Sequence, residues 1–480
     1  MQHVIGRLIL AGLLVAGVGV AVCRSPAAAQ PKPMARADGD LLPQPKWMGV
    51  ASCASMSCHN AGEGREKKRS EYSTWAAHDK HTQAYNALLI PRSQDIARNL
   101  KLSKPAHEEP LCLKCHAMAH TNGQEEPVDD HFYLRDGVGC ESCHGPAEKW
   151  LEEHFRGDFK SKSAEEKESR YGLRNTKSLT SRVKICASCH IGSPDREVDH
   201  DLIAAGHPRM SFDFSGYLAL YNKHWPVAED RARYPDYAAR TWVVGQVAGA
   251  KASLELLHAR ADRAAKDGQK KWPEFSEYGC YACHKNLDVA DPKKEPSWKK
   301  GDPNRKPGEL PWNTWYLAMA PALGQALESD QTALTELRQL MRVQGANPGE
   351  VATRARDAVQ ELERLLARLD QGPNKTPKMS SAEVQRLFGL ILAQEPNRLK
   401  GASWDEAAQI YLGSSALYQQ LVADRTNPNP RLPELRRNLV DTAKQLREAF
   451  PSGVDSPNYD ANAVATFEKQ MAELRNLLGH

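Results

Sequence analysis

Cysteine and histidine recur together in five short strings along this chain. Four strings have the form C-x-x-C-H, and the fifth has two extra residues between its cysteines. With 11 Cys and 17 His among 480 residues, chance would produce about 0.009 such strings. Two thiols at this spacing add to the two vinyl groups of one haem, and the next residue presents its imidazole to the iron. The strings therefore indicate a multihaem c-type cytochrome. They are Cys53–His59, Cys112–His116, Cys140–His144, Cys186–His190 and Cys280–His284.

Five covalent haem c groups are predicted from these strings. A disulfide framework would need further cysteines, but only Cys23 is left over. Zinc is the other use of C-x-x-C pairs, yet zinc sites do not need histidine directly after every second cysteine. The predicted covalent attachment residues are Cys53, Cys58, Cys112, Cys115, Cys140, Cys143, Cys186, Cys189, Cys280 and Cys283. The predicted proximal iron ligands are His59, His116, His144, His190 and His284.

The N-terminus has the pattern of an export signal. Arg7 precedes an apolar run that ends near Val22, and three alanines follow before Gln30. This pattern predicts a cleaved signal peptide over residues 1–29 and a periplasmic protein without a membrane span after cleavage. Lipid attachment at Cys23 is the alternative, but the bulky Val22 precedes that cysteine. Cleavage would lower the net charge from +4 to +2, and nothing in this balance indicates nucleic-acid binding.

The remaining chain divides into two parts of different composition. Residues 45–290 contain every haem string and are predicted to form a pentahaem cytochrome c domain. Residues 291–311 are rich in proline, glycine and lysine, which predicts a linker that could also dock an acidic redox partner. Residues 312–480 contain no cysteine and are predicted to form a helical domain. It would serve either as a scaffold that covers haem edges or as a partner-docking domain.

The fold class predicted for the whole chain is mainly α, with little regular sheet and a C-terminal helical bundle. Leucines recur at helical spacing before Gly372-Pro373, and Ser380 with Glu383 has the form of a capping box. In the haem half, residues 215–221 and 240–263 are predicted helices, and no sustained alternation of β-branched residues occurs.

Ten further histidines in the haem half are available for the opposite face of the iron atoms. Two imidazoles give low-potential, low-spin iron that suits electron transfer. The predicted distal ligands are His81, His154, His207, His224 and His258, the last from its position on a helix face with Val243, Val247 and Leu254. The other candidates are His78, His107, His120, His131 and His200.

The order of these motifs resembles the cytochrome c-554 family of multihaem electron carriers. The resemblance covers roughly residues 50–225 and depends on Trp75 with His81, the string Gly137–Pro146, His154, and the segment Asp199–Arg209. It implies that His81 and His154 are distal ligands to haems attached elsewhere in the chain. It also implies closely stacked haems, and a five-coordinate haem on the second string, Cys112–His116. The longer first string, the fifth haem and the C-terminal helices depart from the tetrahaem pattern.

Two function classes remain open from the sequence. The first is an electron carrier that passes electrons between redox partner proteins. The second is an oxidoreductase in which one haem keeps an open position for a small nitrogen or sulfur compound. The attachment strings serve both classes, and no C-x-x-C-K string is present. The carrier is the preferred interpretation.

Overall fold

A computed structural model describes most of the chain. It covers residues 44–61, 64–121, 124–268, 271–280, 306, 309–343, 345–372, 375–393, 404–424, 430–449 and 461–479. The predicted signal peptide, Cys23, Cys283, His284 and most of the predicted linker lie outside these ranges. Within them the protein is mainly α-helical, which confirms the predicted fold class. The regular sheet found there is one short antiparallel pair, β1 (His120–Thr121) and β2 (Gln124–Glu125).

The haem half consists of short helices joined by turns, followed by one long helix. The short helices bring the attachment strings together, and residues 240–263 lie inside the long helix as predicted. The helices are α1 (Glu71–His78), α2 (Pro91–Asn99), α3 (Pro110–His116), α4 (Cys140–His144), α5 (Gly157–Ser161), α6 (Ala164–Tyr171), α7 (Leu179–His190), α8 (His200–Ala204), α9 (Phe214–Leu220), α10 (Val227–Arg233) and α11 (Tyr237–Lys266).

The C-terminal part is an assembly of longer amphipathic helices. Ser380 and Glu383 form the predicted capping box at the start of one of them, where each side chain satisfies a backbone N–H of the first turn. Ser403 and Glu406 have the same capping-box spacing in the sequence, but Ser403 lies outside the described residues. The helices are α12 (Ala320–Ala326), α13 (Thr332–Met341), α14 (Pro348–Leu369), α15 (Ser381–Leu392), α16 (Trp404–Ala423), α17 (Leu432–Ala449) and α18 (Ala461–Leu477).

Helix α11 is the central element that both halves share. Its alanine, valine and leucine residues are buried over most of its length, and it packs against α7, α9, α14 and α16. Trp242 is fully buried against Gly413 of α16, where an added Cβ would lie 2.7 Å from the indole ring. Glycine therefore permits the close approach of α16 to α11.

One hydrophobic core runs through both halves, from Leu179 to Leu478. Three smaller clusters lie near the N-terminal strings, between Trp47 and Leu173. The end of the predicted linker also contacts the haem half, because Gly279 donates a backbone hydrogen bond to Pro311 at 2.8 Å. The division into a haem domain and a separate helical domain stays a prediction, and the described residues on its two sides share a core.

Buried polar contacts join the two halves as well. Asp405 of α16 pairs with Arg209 at 2.8 Å, and the carboxylate is 2% exposed. Asp370, just after α14, accepts hydrogen bonds from Ser178 at 2.7 Å, from the Thr180 N–H at 3.0 Å and from Tyr234 at 2.8 Å. None of the helices in the described ranges has the length and apolar character needed to cross a lipid bilayer.

Candidate haem-binding site

The attachment strings occupy helix ends, and this placement explains how their side chains converge. Cys112–His116 and Cys140–His144 each lie in a short helix, and Cys186–His190 forms the last turn of α7. At helical spacing, residues i, i+3 and i+4 share one face, so two cysteines and the histidine point the same way. Cys53 instead ends a short 3₁₀ helix, and the extra residues of its string form a turn in which Met56 is 72% exposed.

These four strings line a single cavity of about 1590 Å³. Single ligand pockets usually measure about 300–1,000 Å³, so this volume suits several cofactors. Four of the five predicted distal ligands also line the cavity, whereas His78, His107, His131, His200 and His258 do not. The lining ligand candidates are Cys53, Cys58, His59, Cys112, Cys115, His116, Cys140, Cys143, His144, Cys186, Cys189 and His190, with His81, His154, His207 and His224.

The cavity wall fits haem in its polar groups as well. Three buried nitrogen atoms in this wall have no hydrogen-bond partner among the described residues: Trp150 Nε1, Arg196 Nε and His224 Nδ1. A buried polar atom without a partner is costly, and these three nitrogens could bind carboxylate oxygens of the haem propionates. Thiols, imidazoles, apolar walls and unpaired nitrogens together form a donor set that fits covalently bound haem.

Histidine rings face each other across this cavity in pairs. A metal–nitrogen bond of about 2 Å on each side, with about 1.2 Å from nitrogen to ring centre, places two ring centres about 6 Å apart. Among the described histidines, three pairs have this separation, and each joins a proximal histidine to a predicted distal one. They are His59 with His154 at 6.1 Å, His190 with His81 at 6.0 Å, and His144 with His224 at 6.4 Å.

Five of the eight histidines that line the cavity have Nδ1 held by an acceptor, which leaves Nε2 for iron. His59 and His81 bind carboxylates, Glu71 at 3.1 Å and Asp79 at 2.9 Å. Backbone carbonyls hold the others in the same way: Ala84 for His116 at 2.8 Å, Leu151 for His154 at 2.6 Å, and Pro208 for His207 at 2.8 Å.

Burial keeps the innermost imidazoles neutral. It lowers the pKa of His144 and of His190 to about 4, with smaller contributions from neighbouring histidines. Iron binds the neutral imidazole, so protons do not compete for these ligands near neutral pH. At His59, the hydrogen bond to Glu71 raises the pKa instead and leaves this proximal ring electron-rich.

Thiol contacts show which strings are neighbours in space. Contact with Cys53 and burial raise the pKa of Cys140, and contact with Cys189 raises that of Cys115. The first string therefore touches the third, and the second touches the fourth. Burial and the charge of Cys143 raise the pKa of Cys186, and burial and the charge of Cys189 raise the pKa of Cys143, which places the third string beside the fourth. The spatial order of the strings is first, third, fourth, second.

Two predicted ligands lie outside these pairs. His207 lines the cavity, and its pKa is lowered by burial and also by the charge of His116, which places it on the side of the second string. His258 is half-buried on α11 and donates its Nδ1–H to the carbonyl of Ala352 at 2.8 Å, toward α14. Of the fifth string, the structure describes only Cys280, which is half-buried.

Sequence reasoning missed several side chains that support the strings. Glu141, inside the third string, is 1% exposed, and its carboxylate accepts hydrogen bonds from the N–H groups of Met48, Gly49 and Ala147. It ties the segment just before the first string to the third string. Asp79 and Glu71 were missed because carboxylates are common, although an acid two residues before His81 was a visible signal.

Comparison with known proteins agrees with this arrangement. Residues 52–145 match the family model of cytochrome c554 and c-prime. The match spans the first three strings and confirms the resemblance for this part of the chain, which is similar to that family; residues 146–225 of the predicted resemblance lie outside the match. The family supports covalent haem and haem-based electron transfer. No curated protein and no solved structure matches the chain.

Proposed function

We propose that this protein is a pentahaem c-type cytochrome that transfers electrons between redox partner proteins in the periplasm. The proposal depends above all on the single cavity that collects four attachment strings and three facing histidine pairs. Export through a cleaved signal over residues 1–29 is part of the proposal, since cytochrome c domains are generally attached to haem outside the cytoplasm. The redox partners would meet haem edges at the protein surface.

The proposed distal ligands follow the ring pairs. His154 would bind opposite His59, His224 opposite His144, and His81 opposite His190. His207 is proposed for the iron held by His116, and His258 stays a candidate distal ligand that no ring pair assigns to a particular iron. His284 and Cys283 belong to that string by sequence alone.

The chain's own residues hold and insulate the cofactors. Bound haem iron supplies a one-electron Fe(III)/Fe(II) couple at each string. Acceptors at Nδ1 fix the ring orientation of the ligands, so little reorganisation is needed when an electron arrives. The contacts between strings support a route that runs from the first string to the third, then to the fourth and the second. Because the turn at Met56 is exposed, the haem of the first string is the proposed point at which electrons enter.

Haem content and ligand exchange test this proposal. A pyridine haemochrome assay with intact mass should give five haems per chain, because five strings are present. In the His154→Met variant, attachment should persist while one midpoint potential rises, because thioether sulfur favours ferrous iron. His131→Met is the matched control, since His131 is 71% exposed in its side chain and lies outside the cavity. Equal potentials in all three proteins would refute the ligand role of His154.

A second candidate function has one specific observation in its favour. Among the described residues, His116 is absent from the three facing pairs, so the iron of the second string is one that a small substrate could reach if His207 does not bind it. Low-temperature EPR of the oxidised protein, with CO or NO added after reduction, distinguishes the two functions. An entirely low-spin spectrum without gas binding supports the carrier. High-spin iron that binds CO, together with turnover of hydroxylamine or nitrite, supports the oxidoreductase.

A further inference from the structure

Asp79 is a buried carboxylate at the centre of a small hydrogen-bond network. Its side chain is 5% exposed. One oxygen accepts hydrogen bonds from the Nδ1–H of His81 at 2.9 Å and from the His81 backbone N–H at 3.0 Å. The other oxygen accepts a hydrogen bond from the hydroxyl of Tyr221 at 2.8 Å. The network therefore runs from Tyr221 through Asp79 to a histidine that faces His190 across the cavity.

The ring of Tyr221 lies between two histidines that are proposed to bind different irons. Its centre is 6.1 Å from the His81 ring and 6.3 Å from the His224 ring. The backbone around it is held in place, because Asn222 donates a hydrogen bond from its side chain to the carbonyl of His78 at 2.8 Å. The position of Tyr221 is thus fixed relative to the turn that contains Asp79 and His81.

We propose that Asp79 and Tyr221 are positioning residues that set the reduction potential of the haem on Cys186–His190. The inference rests on the proposed ligation of that iron by His81. A carboxylate that accepts the Nδ1–H makes the imidazole a stronger donor, which stabilises ferric iron and lowers the potential. The hydroxyl of Tyr221 draws electron density from the carboxylate and moderates this effect.

The contrast with the other histidines shows why this site should stand out. His116, His154 and His207 donate to neutral backbone carbonyls. Glu71 gives His59 a carboxylate too, but that carboxylate is 28% exposed and lies 3.1 Å away. A charge acts more strongly where water is excluded, so Asp79 should have the larger effect on its iron.

Two substitutions in the full-length holoprotein should shift one potential in opposite directions. Asp79→Asn replaces the charged acceptor with a neutral one, so one haem potential should rise. Tyr221→Phe removes the donor and leaves Asp79 a stronger acceptor for His81, so the same potential should fall. Redox titration followed by EPR measures both, using the signal of the haem that is lost in His81→Met. Tyr221→Phe keeps the test informative if Asp79→Asn does not fold.

A matched control exists within the chain. Asp129 accepts hydrogen bonds from the backbone N–H and Nδ1–H of His131 just as Asp79 does for His81, but outside the cavity. Asp129→Asn should therefore leave every potential unchanged. Shifts of the same sign in Asp79→Asn and Tyr221→Phe, or no shift in either, would overturn the inference. If His81→Met also changes no potential, the proposed ligation fails instead.

Discussion

The angle between facing imidazole rings differs among the three histidine pairs. The planes of His59 and His154 are 14° apart, whereas those of His81 and His190 are 73° apart. Two parallel rings interact with the same one of two iron d orbitals, so the energies of these two orbitals become different. Nearly perpendicular rings raise both orbitals about equally, so the magnetic anisotropy of ferric iron becomes larger.

Low-temperature EPR of the oxidised protein should therefore resolve these two haems. The first string should give an ordinary rhombic low-spin signal, and the fourth should give a strongly anisotropic signal with a large maximal g value. The His154→Met variant should lose the rhombic signal alone. Loss of the anisotropic signal in that variant would contradict the assignment of the pairs.

Single residues also show the limit of prediction from sequence. Cysteine spacing is local covalent chemistry, so the proximal sites can be identified from the strings themselves. The pattern Asp-x-His occurs at both 79–81 and 129–131, with the same local hydrogen bonds. Only the tertiary structure places the first beside the cavity and the second at the surface. The ligand roles of His81, His154, His207, His224 and His258 stay predictions.

At the scale of elements, apolar periodicity in the sequence predicts the longer helices, but it does not predict the contacts between helices. Residues 215–221 and 240–263 are helical nearly as predicted, in α9 and α11. The joint at Asp370 could not be predicted, because Ser178, Thr180 and Tyr234 are far from it in sequence. Its hydrogen bonds depend on how α7 and α14 pack.

Asp370 should make the stability of this joint depend on pH. Burial alone would raise its pKa, but hydrogen bonds from Thr180, Ser178 and Tyr234 outweigh burial and hold the pKa below its usual 3.8. The stabilisation is thus present above that pH and is lost as the pH falls through the lower folded-state value. Asp370→Asn should lower the free energy of unfolding by about 1–3 kcal/mol at neutral pH.

Urea unfolding at pH 7, 5 and 3 measures this difference. The difference in the free energy of unfolding between the wild type and Asp370→Asn should be similar at pH 7 and pH 5 and smaller at pH 3. Asp357→Asn is a control on α14 itself, where the carboxylate is 35% exposed and pairs with its neighbour Arg356. A free-energy difference that is the same at all three pH values would contradict the role of Asp370.

For the whole molecule, the shared core predicts that the two halves unfold together. Gly413 of α16 lies against Trp242 of α11, and an added methyl group there should cost about 1–3 kcal/mol. Because α11 also packs on α7, which ends in the fourth string, Gly413→Ala should destabilise the haem half as well. Composition predicts two domains, and it does not show which helix faces the two parts share.

Two probes of urea unfolding test this coupling. Soret absorbance reports on the haem half and far-ultraviolet circular dichroism on the helices. Both transitions should coincide in the wild type, and both should move to lower urea in Gly413→Ala. Gly157→Ala is the control, because nothing lies within 4 Å of an added Cβ there. A shift in circular dichroism alone would show that the helical region unfolds independently.

The strings that contact each other in space are not consecutive in the sequence, and this affects the order in which their sites are completed. Synthesis proceeds from the N-terminus, so the strings emerge as first, second, third and fourth. Yet the thiol contacts join the first to the third and the second to the fourth. The pocket of each early string therefore lacks one wall until a later string has been synthesised. The four sites cannot be complete before His224 has emerged, because this last residue is proposed to bind opposite His144, so their maturation should finish nearly at once.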